Sequence, residues 1–210
     1  MNRVGPRIPS LGVGVMWVCV VVAAACSAGF TESIDHGLPI QGEALSTDLI
    51  ATGVAGARLL PRASYAIRAL VMGVARYERD DLAAISPVDL ALAWGPAAKR
   101  DVQERLSGGQ GNRWAYWRVI DGERKMPAAR ILNASMANTH MIPATAAVAA
   151  VLSKVRAGDF IRAAGHLVDI ESDNPLISRK TSLVREDAGA GACEIFYVTD
   201  IEIGPAPSDA

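Results

Sequence analysis

With 210 residues, half of them apolar and a fifth charged, the chain has room for one globular domain and a short appendage, and it is too hydrophobic to be disordered. A formal net charge of −1 and a pI near 6.3 exclude any broad electrostatic pull toward nucleic acid or acidic lipid. Of three cysteines, Cys19 and Cys26 lie in or beside an apolar N-terminal run, so Cys193 stands alone in the domain, which excludes a disulfide framework and a cysteine-type zinc site.

At the N-terminus Arg3 and Arg7 precede an uncharged apolar run over 11–25, and the first acidic residue is Glu32. The apolar stretch 8–30 is long enough to cross a bilayer, which takes about 20 helical residues. Residues 1–30 therefore read as a signal anchor, a single inner-membrane span with the domain in the periplasm. Cleavage after Ala23-Ala24-Ala25, or lipidation at Cys26, are the alternatives, and both also place the domain outside the cytoplasm.

Residues 31–62 mix Gly, Pro, Ser, Thr and Asp with short apolar pieces and read as a tether, in which Gly53 and Gly56 oppose a helix. The domain is expected over 63–204, with 205–210 a frayed tail. Alternation at Tyr65, Ile67, Ala69 and Val71 predicts a first strand over 63–77. The segment 86–95, SPVDLALAWG, reads as a strand or helical turn ended by Gly95-Pro96. Next comes a short polar helix over 97–106, stopped by Gly108-Gly109, and then an aromatic strand over 112–120. In that strand Trp114 and Tyr116 share a face, and Trp117 takes the other. Residues 121–122 signal a turn, and 128–133 a short strand or helical turn.

Val148, Val151, Leu152 and Val155 fall on one stripe, making 143–155 the clearest helix. Three strands are expected after it, over 159–170, 177–185 and 193–203, joined by loops too short for parallel crossovers. Gly165 sits mid-strand, where a barrel strand bends. The fold class is α+β: a mostly antiparallel sheet or small, partly closed OB-like barrel with one main helix, behind an N-terminal transmembrane helix.

Three blocks, SPVDLALAWG at 86–95, NTHMIPA at 138–144 and TSLVREDAGAGACE at 181–194, resemble a group of uncharacterised bacterial envelope proteins that also begin with a membrane segment. The resemblance spans about 65–203. It departs at Thr139, where methionine is more usual, and at Ala188, where threonine is. It implies location and extent, and no activity.

The candidate chemistry is a thiol site. A cysteine nucleophile needs a base or cation to hold it as thiolate, and a third group to orient that base. Cys193 follows a Gly-Ala-Gly turn, and His140 lies just before the main helix. Asn138, Asp187 or Glu194 are the orienting candidates, and Ser182 or the amides around Gly189 and Gly191 the oxyanion donors. Trp94, with Trp114, Tyr116 and Trp117, offers stacking surface, and Arg185 belongs to the same C-terminal block. Arg113, Arg118, Arg124, Lys125 and Arg130 surround the aromatic segment. His36, His140 and His166 are too far apart in sequence for a metal pair, and no cofactor motif occurs. These residues carry two readings. One is a non-catalytic binding or assembly module for an envelope protein or cell-wall ligand. The other is a cysteine-dependent hydrolase or transpeptidase using Cys193 and His140, with Asp187.

Overall fold

The computed structural model describes residues 37–121 and 126–204. The anchor expected over 1–30, Gly122 of the expected turn and the tail 205–210 lie outside the described residues. No helix among the described residues is long and apolar enough to cross a membrane.

The described chain is mostly strand: β1 (Ile40–Glu43), β2 (Ile50–Ala51), β3 (Ala57–Arg76), β4 (Val88–Ala93), β5 (Leu106–Gly111), β6 (Trp114–Val119), β7 (Met136–Pro143), β8 (Phe160–Ser172) and β9 (Glu194–Gly204). Three short helices intervene, α1 (Arg100–Gln103), α2 (Ala129–Asn133) and α3 (Ala146–Leu152). The segment read as a tether holds β1, β2 and the start of β3, where Ala57 and Leu59 are buried. That apolar alternation was hidden among glycines and prolines.

Five strands form a ring in the order β3-β4-β7-β9-β8, closed by a long β8–β3 pairing. Every neighbour is antiparallel except β7 and β9, which run parallel. The C-terminal antiparallel meander expected from loop length is thus corrected to a mixed sheet. The helix α3 carries the chain across one end, so β8 returns beside β3, and β9 fills the gap between β8 and β7. Val148 and Leu152 on α3, with Val155 beyond it, pack into the ring against Leu90, Leu92, Phe196 and Val198. Each such burial contributes roughly 1.5–3 kcal/mol. The Thr145 hydroxyl caps α3 by accepting from the Val148 N–H at 3.2 Å, so the helix starts later than 143, and Pro143 ends β7.

The ring bends at Gly165. A Cβ there would lie 2.0 Å from the Tyr197 carbonyl oxygen, and the β8–β9 register shifts at this point. Only glycine lets the two backbones approach so closely.

Two other expectations differ. The stretch 97–106 is a 3-10 turn (Gly95–Ala98) and one turn of helix, and Gly108-Gly109 lies within β5 rather than ending a helix. These glycines face Trp117 and Tyr116 of β6, and a Cβ on Gly108 would lie 2.4 Å from the Tyr116 carbonyl oxygen. The Gly-rich strand exists because an aromatic strand packs onto it. The stretch 177–185 is extended but makes only one bridge, Ile170 with Arg179. Side chains replace its ladder: Asp169 accepts from the Thr181 N–H at 2.9 Å, and the Thr181 hydroxyl accepts from the Ile195 N–H at 3.0 Å.

Candidate active site

Alternation around the ring decides which side chains meet. Val88, Leu90 and Leu92 of β4, Met141 of β7 and Phe196 and Val198 of β9 point inward. Asp89, His140 and Cys193 therefore share the outer face. Asp89 is the register partner of His140, and His140 that of Ile195, two residues beyond Cys193. Three adjacent strands thus line up a carboxylate, an imidazole and a thiol.

His140 Nδ1 lies 2.9 Å from Asp89 Oδ1, close in distance but not aligned as a hydrogen bond, so Nδ1 keeps no aligned partner. Such contacts are often loose before substrate binds. Cys193 neighbours the same ring, and its Sγ lies 3.9 Å from the Arg113 carbonyl oxygen. Asp89 is fully buried and His140 nearly so, whereas Cys193 is half-buried. Burial opposes charge on His140. The Asp89 carboxylate against the ring, together with the neighbouring Cys193, outweighs burial and raises the ring from 6.5 to about 9. At neutral pH this imidazole is a cation beside the Cys193 sulfur.

The hairpin β5–β6 folds down over this face. Its tip, Asn112 and Arg113, adopts left-handed backbone angles (φ 51° and 67°), uncommon for residues with a Cβ. Arg113 holds the tip in place. Its guanidinium forks onto Asp80 at 2.8 and 2.6 Å, donates to Asp89 Oδ1 at 2.8 Å and to the Ser86 carbonyl at 2.9 Å, and stacks 3.6 Å from the Tyr77 ring. Those acids outweigh burial and raise Arg113, while the same hydrogen bonds lead in lowering Asp80. Asn138 joins hairpin to thiol: its Nδ2 lies 3.6 Å from Cys193 Sγ and donates to the Arg113 carbonyl at 3.1 Å, while Gln110 Nε2 donates to its Oδ1 at 2.9 Å. This network fixes which way the amide points.

Cys193 and His140 open onto a cleft of about 340 Å³, whose wall also includes Trp114, Arg179, Lys180 and Ile195. The constellation combines a thiol, an imidazole, a buried carboxylate beside it, an amide donor next to the sulfur and an open approach.

Of the residues singled out from sequence, the structure brings together Cys193, His140 and Asn138, with Gly191 on the cleft wall. The others lie elsewhere. Asp187 accepts from the Ser182 hydroxyl at 2.6 Å and does not orient His140; that role falls to Asp89. Ser182 locks its own turn through the Val184 N–H, and its own N–H donates to the Cys193 carbonyl, so it is no oxyanion donor. Gly189 accepts from the Ala192 N–H in the exposed turn. Glu194, one residue from the cysteine, points the opposite way into the ring, where Arg185 donates to it at 2.6 Å and also contacts Tyr65 and Gln41. Trp94 is buried in the core and unavailable for stacking, whereas Trp114 and Tyr116 are exposed. Asp89 was missed, although its signal exists: it is the one charged side chain in the apolar run VDLALA. Among the described residues, no group of three or more His, Cys, Asp or Glu side chains is placed to hold a metal ion.

No family model matches the chain, and no curated protein or solved structure does either.

Proposed function

We propose that this protein is a cysteine-dependent acyl-transfer enzyme, a hydrolase or transpeptidase, with Cys193 as nucleophile, His140 as proton shuttle and Asp89 as the group that orients it. The observation that carries this is the convergence of Asp89 on β4, His140 on β7 and Cys193 just before β9, the last two opening onto a cleft. Cys193 Sγ, as thiolate, attacks a carbonyl carbon and forms a C–S bond, pushing the electron pair onto the carbonyl oxygen. Asn138 Nδ2, beside the sulfur, is the side-chain donor for that oxyanion. The oxyanion collapses, the bond to the leaving amine or alcohol breaks, and His140 delivers the proton that group takes. A water or an acceptor amine then attacks the thioester, giving its proton to His140, the C–S bond breaks, and the Cys193 thiolate is regenerated beside the imidazolium.

Two settings belong to this reading. The ring order β3-β4-β7-β9-β8, with α3 between its third and fourth strands in sequence, supports an OB-like barrel, whose ligands commonly bind at loops that here include 173–193. The basic and apolar character of 1–30 supports an anchored domain on the periplasmic side, with secretion or lipidation at Cys26 as the alternative. The non-catalytic binding module draws support from the exposed face of Trp114 and Tyr116.

The test is the rate of iodoacetamide alkylation of the folded full-length protein against pH, with the label at Cys193 separated from Cys19 and Cys26 by peptide mapping. A thiolate pair reacts fast below neutral pH and loses that reactivity in His140→Ala. Protection of Cys193 until unfolding would leave the binding module.

A further inference from the structure

The cleft carries an asymmetry of charge beyond the reacting groups. Arg179 and Lys180 line the same cleft as Cys193, and no carboxylate among the described residues does. The acids of the hairpin network are engaged, Asp89 buried against His140 and Arg113, and Asp80 clasped by Arg113, while Glu194 is held inward by Arg185. Arg179 donates only to backbone carbonyls, those of Ser178 at 2.8 Å and Pro175 at 3.4 Å, and neither it nor Lys180 pairs with a carboxylate among the described residues. Both are exposed, yet their backbone is fixed. Arg179 bridges Ile170 in both directions, Thr181 is tied to Asp169 and Ile195, and the Ser182 N–H donates to the carbonyl of Cys193 itself at 3.0 Å. The strand-like run that bears the two cations is thus tied to the peptide unit of the nucleophile. Trp114, half exposed, and Ile195 also line the cleft, which offers an apolar surface to an uncharged portion of a ligand.

Resting on the acyl-transfer reading, we infer that the substrate is an acyl compound bearing a carboxylate, of the kind a peptide with a free C-terminus or acidic side chain presents, held by Arg179 and Lys180 while its scissile carbonyl meets Cys193. Arg179 and Lys180 line the cleft and pair with no protein acid among the described residues, which leaves their charge for a ligand's carboxylate. The carboxylate positions the substrate and takes no part in bond making.

Two alkylating reagents separate this inference from its parent. Iodoacetamide and iodoacetate react with a thiolate by the same displacement, forming the C–S bond and releasing iodide, and differ in the carboxylate. The readout is the ratio of their rates at Cys193, normalised to free N-acetylcysteine, in the wild type and in Arg179→Ala/Lys180→Ala. One unit charge roughly 7 Å away in water alters such an encounter by roughly threefold. The double variant should therefore lower the normalised ratio by roughly five- to tenfold at low ionic strength, since any loss of thiolate slows both reagents alike and cancels in the ratio. That difference should collapse at about 1 M salt, where the Debye length is about 3 Å. A ratio that the double substitution leaves alone, with iodoacetamide still fast, overturns the carboxylate inference and spares the acyl-transfer reading. If neither reagent labels folded Cys193, both fall together.

Discussion

Replacing Asp89 by Asn removes one charge from the middle of the site and leaves its shape. Asp89 Oδ1 is shared by His140 Nδ1 at 2.9 Å and Arg113 Nη1 at 2.8 Å, and the side chain is fully buried. His140 stands at about 9 against an ordinary 6.5. At about 1.36 kcal/mol per unit, the fold prefers the charged ring by about 3 kcal/mol. Burial is the largest single influence on His140 and opposes that charge, so losing Asp89 should bring the ring down toward its ordinary value. The stability linked to a raised pKa is fully present below 6.5 and lost as pH rises through about 9. Asp89→Asn should therefore cost up to about 3 kcal/mol more at pH ~6 than at pH ~10, while Arg113 keeps its fork on Asp80. Urea denaturation at the two pH values measures the difference, and the ring resonances of His140, followed by NMR, report the pKa directly. The expected partner effect is a roughly tenfold or greater loss of Cys193 alkylation near pH ~6.5. An unchanged His140 titration, with the same destabilisation at both pH values, would refute the claim that Asp89 charges the ring.

Arg113→Ala should destabilise the domain by about 3 kcal/mol, because it strips buried Asp89 of its guanidinium and leaves only the His140 ring beside the carboxylate. Hydrogen exchange should rise in β5–β6 specifically, and Arg113→Lys should recover part of the loss without the fork on Asp80. Glu194, pushed up by burial against the pull of Arg185, stands at about 7 against 4.5. Stability should thus fall by about 3 kcal/mol as pH rises from about 4.5 through 7, a slope that thermal melts should find missing in Glu194→Gln. Gly165→Ala places a Cβ 2.0 Å from the Tyr197 carbonyl oxygen and should unfold the β8–β9 pairing or cost more than about 3 kcal/mol, read by denaturant midpoint.

The legible parts of the fold were those where one local pattern dominates. The stripe Val148, Leu152 and Val155 marks α3, and the alternation around Gly165 marks a long, bent β8, because burial on one face writes its period into the sequence. The glycines of β5 carry no such period, since their strand is specified by the aromatic partner across the hairpin. The parallel β7–β9 pairing was equally hidden: it depends on where α3 delivers the chain, not on the composition of either strand. In the site, Cys193 and His140 stood out as rare residue types. Asp187 and Glu194 were the wrong acids because nearness in sequence is a poor guide on a sheet. Glu194 is adjacent to the cysteine and points inward, whereas Asp89 is distant and lies across one ladder rung from His140. The hairpin's Arg113 was visible only as one of several basic residues until its acids were placed around it.

The most direct test of the central claim is acyl transfer itself. The full-length protein, mixed with p-nitrophenyl acetate, should release a burst of p-nitrophenolate stoichiometric with protein. The acetyl group should be found by peptide mass mapping as a hydroxylamine-labile thioester on Cys193. The burst should vanish in Cys193→Ser and slow by roughly a hundredfold or more in His140→Ala. No thioester at Cys193, or one that forms as fast without His140, would contradict the account.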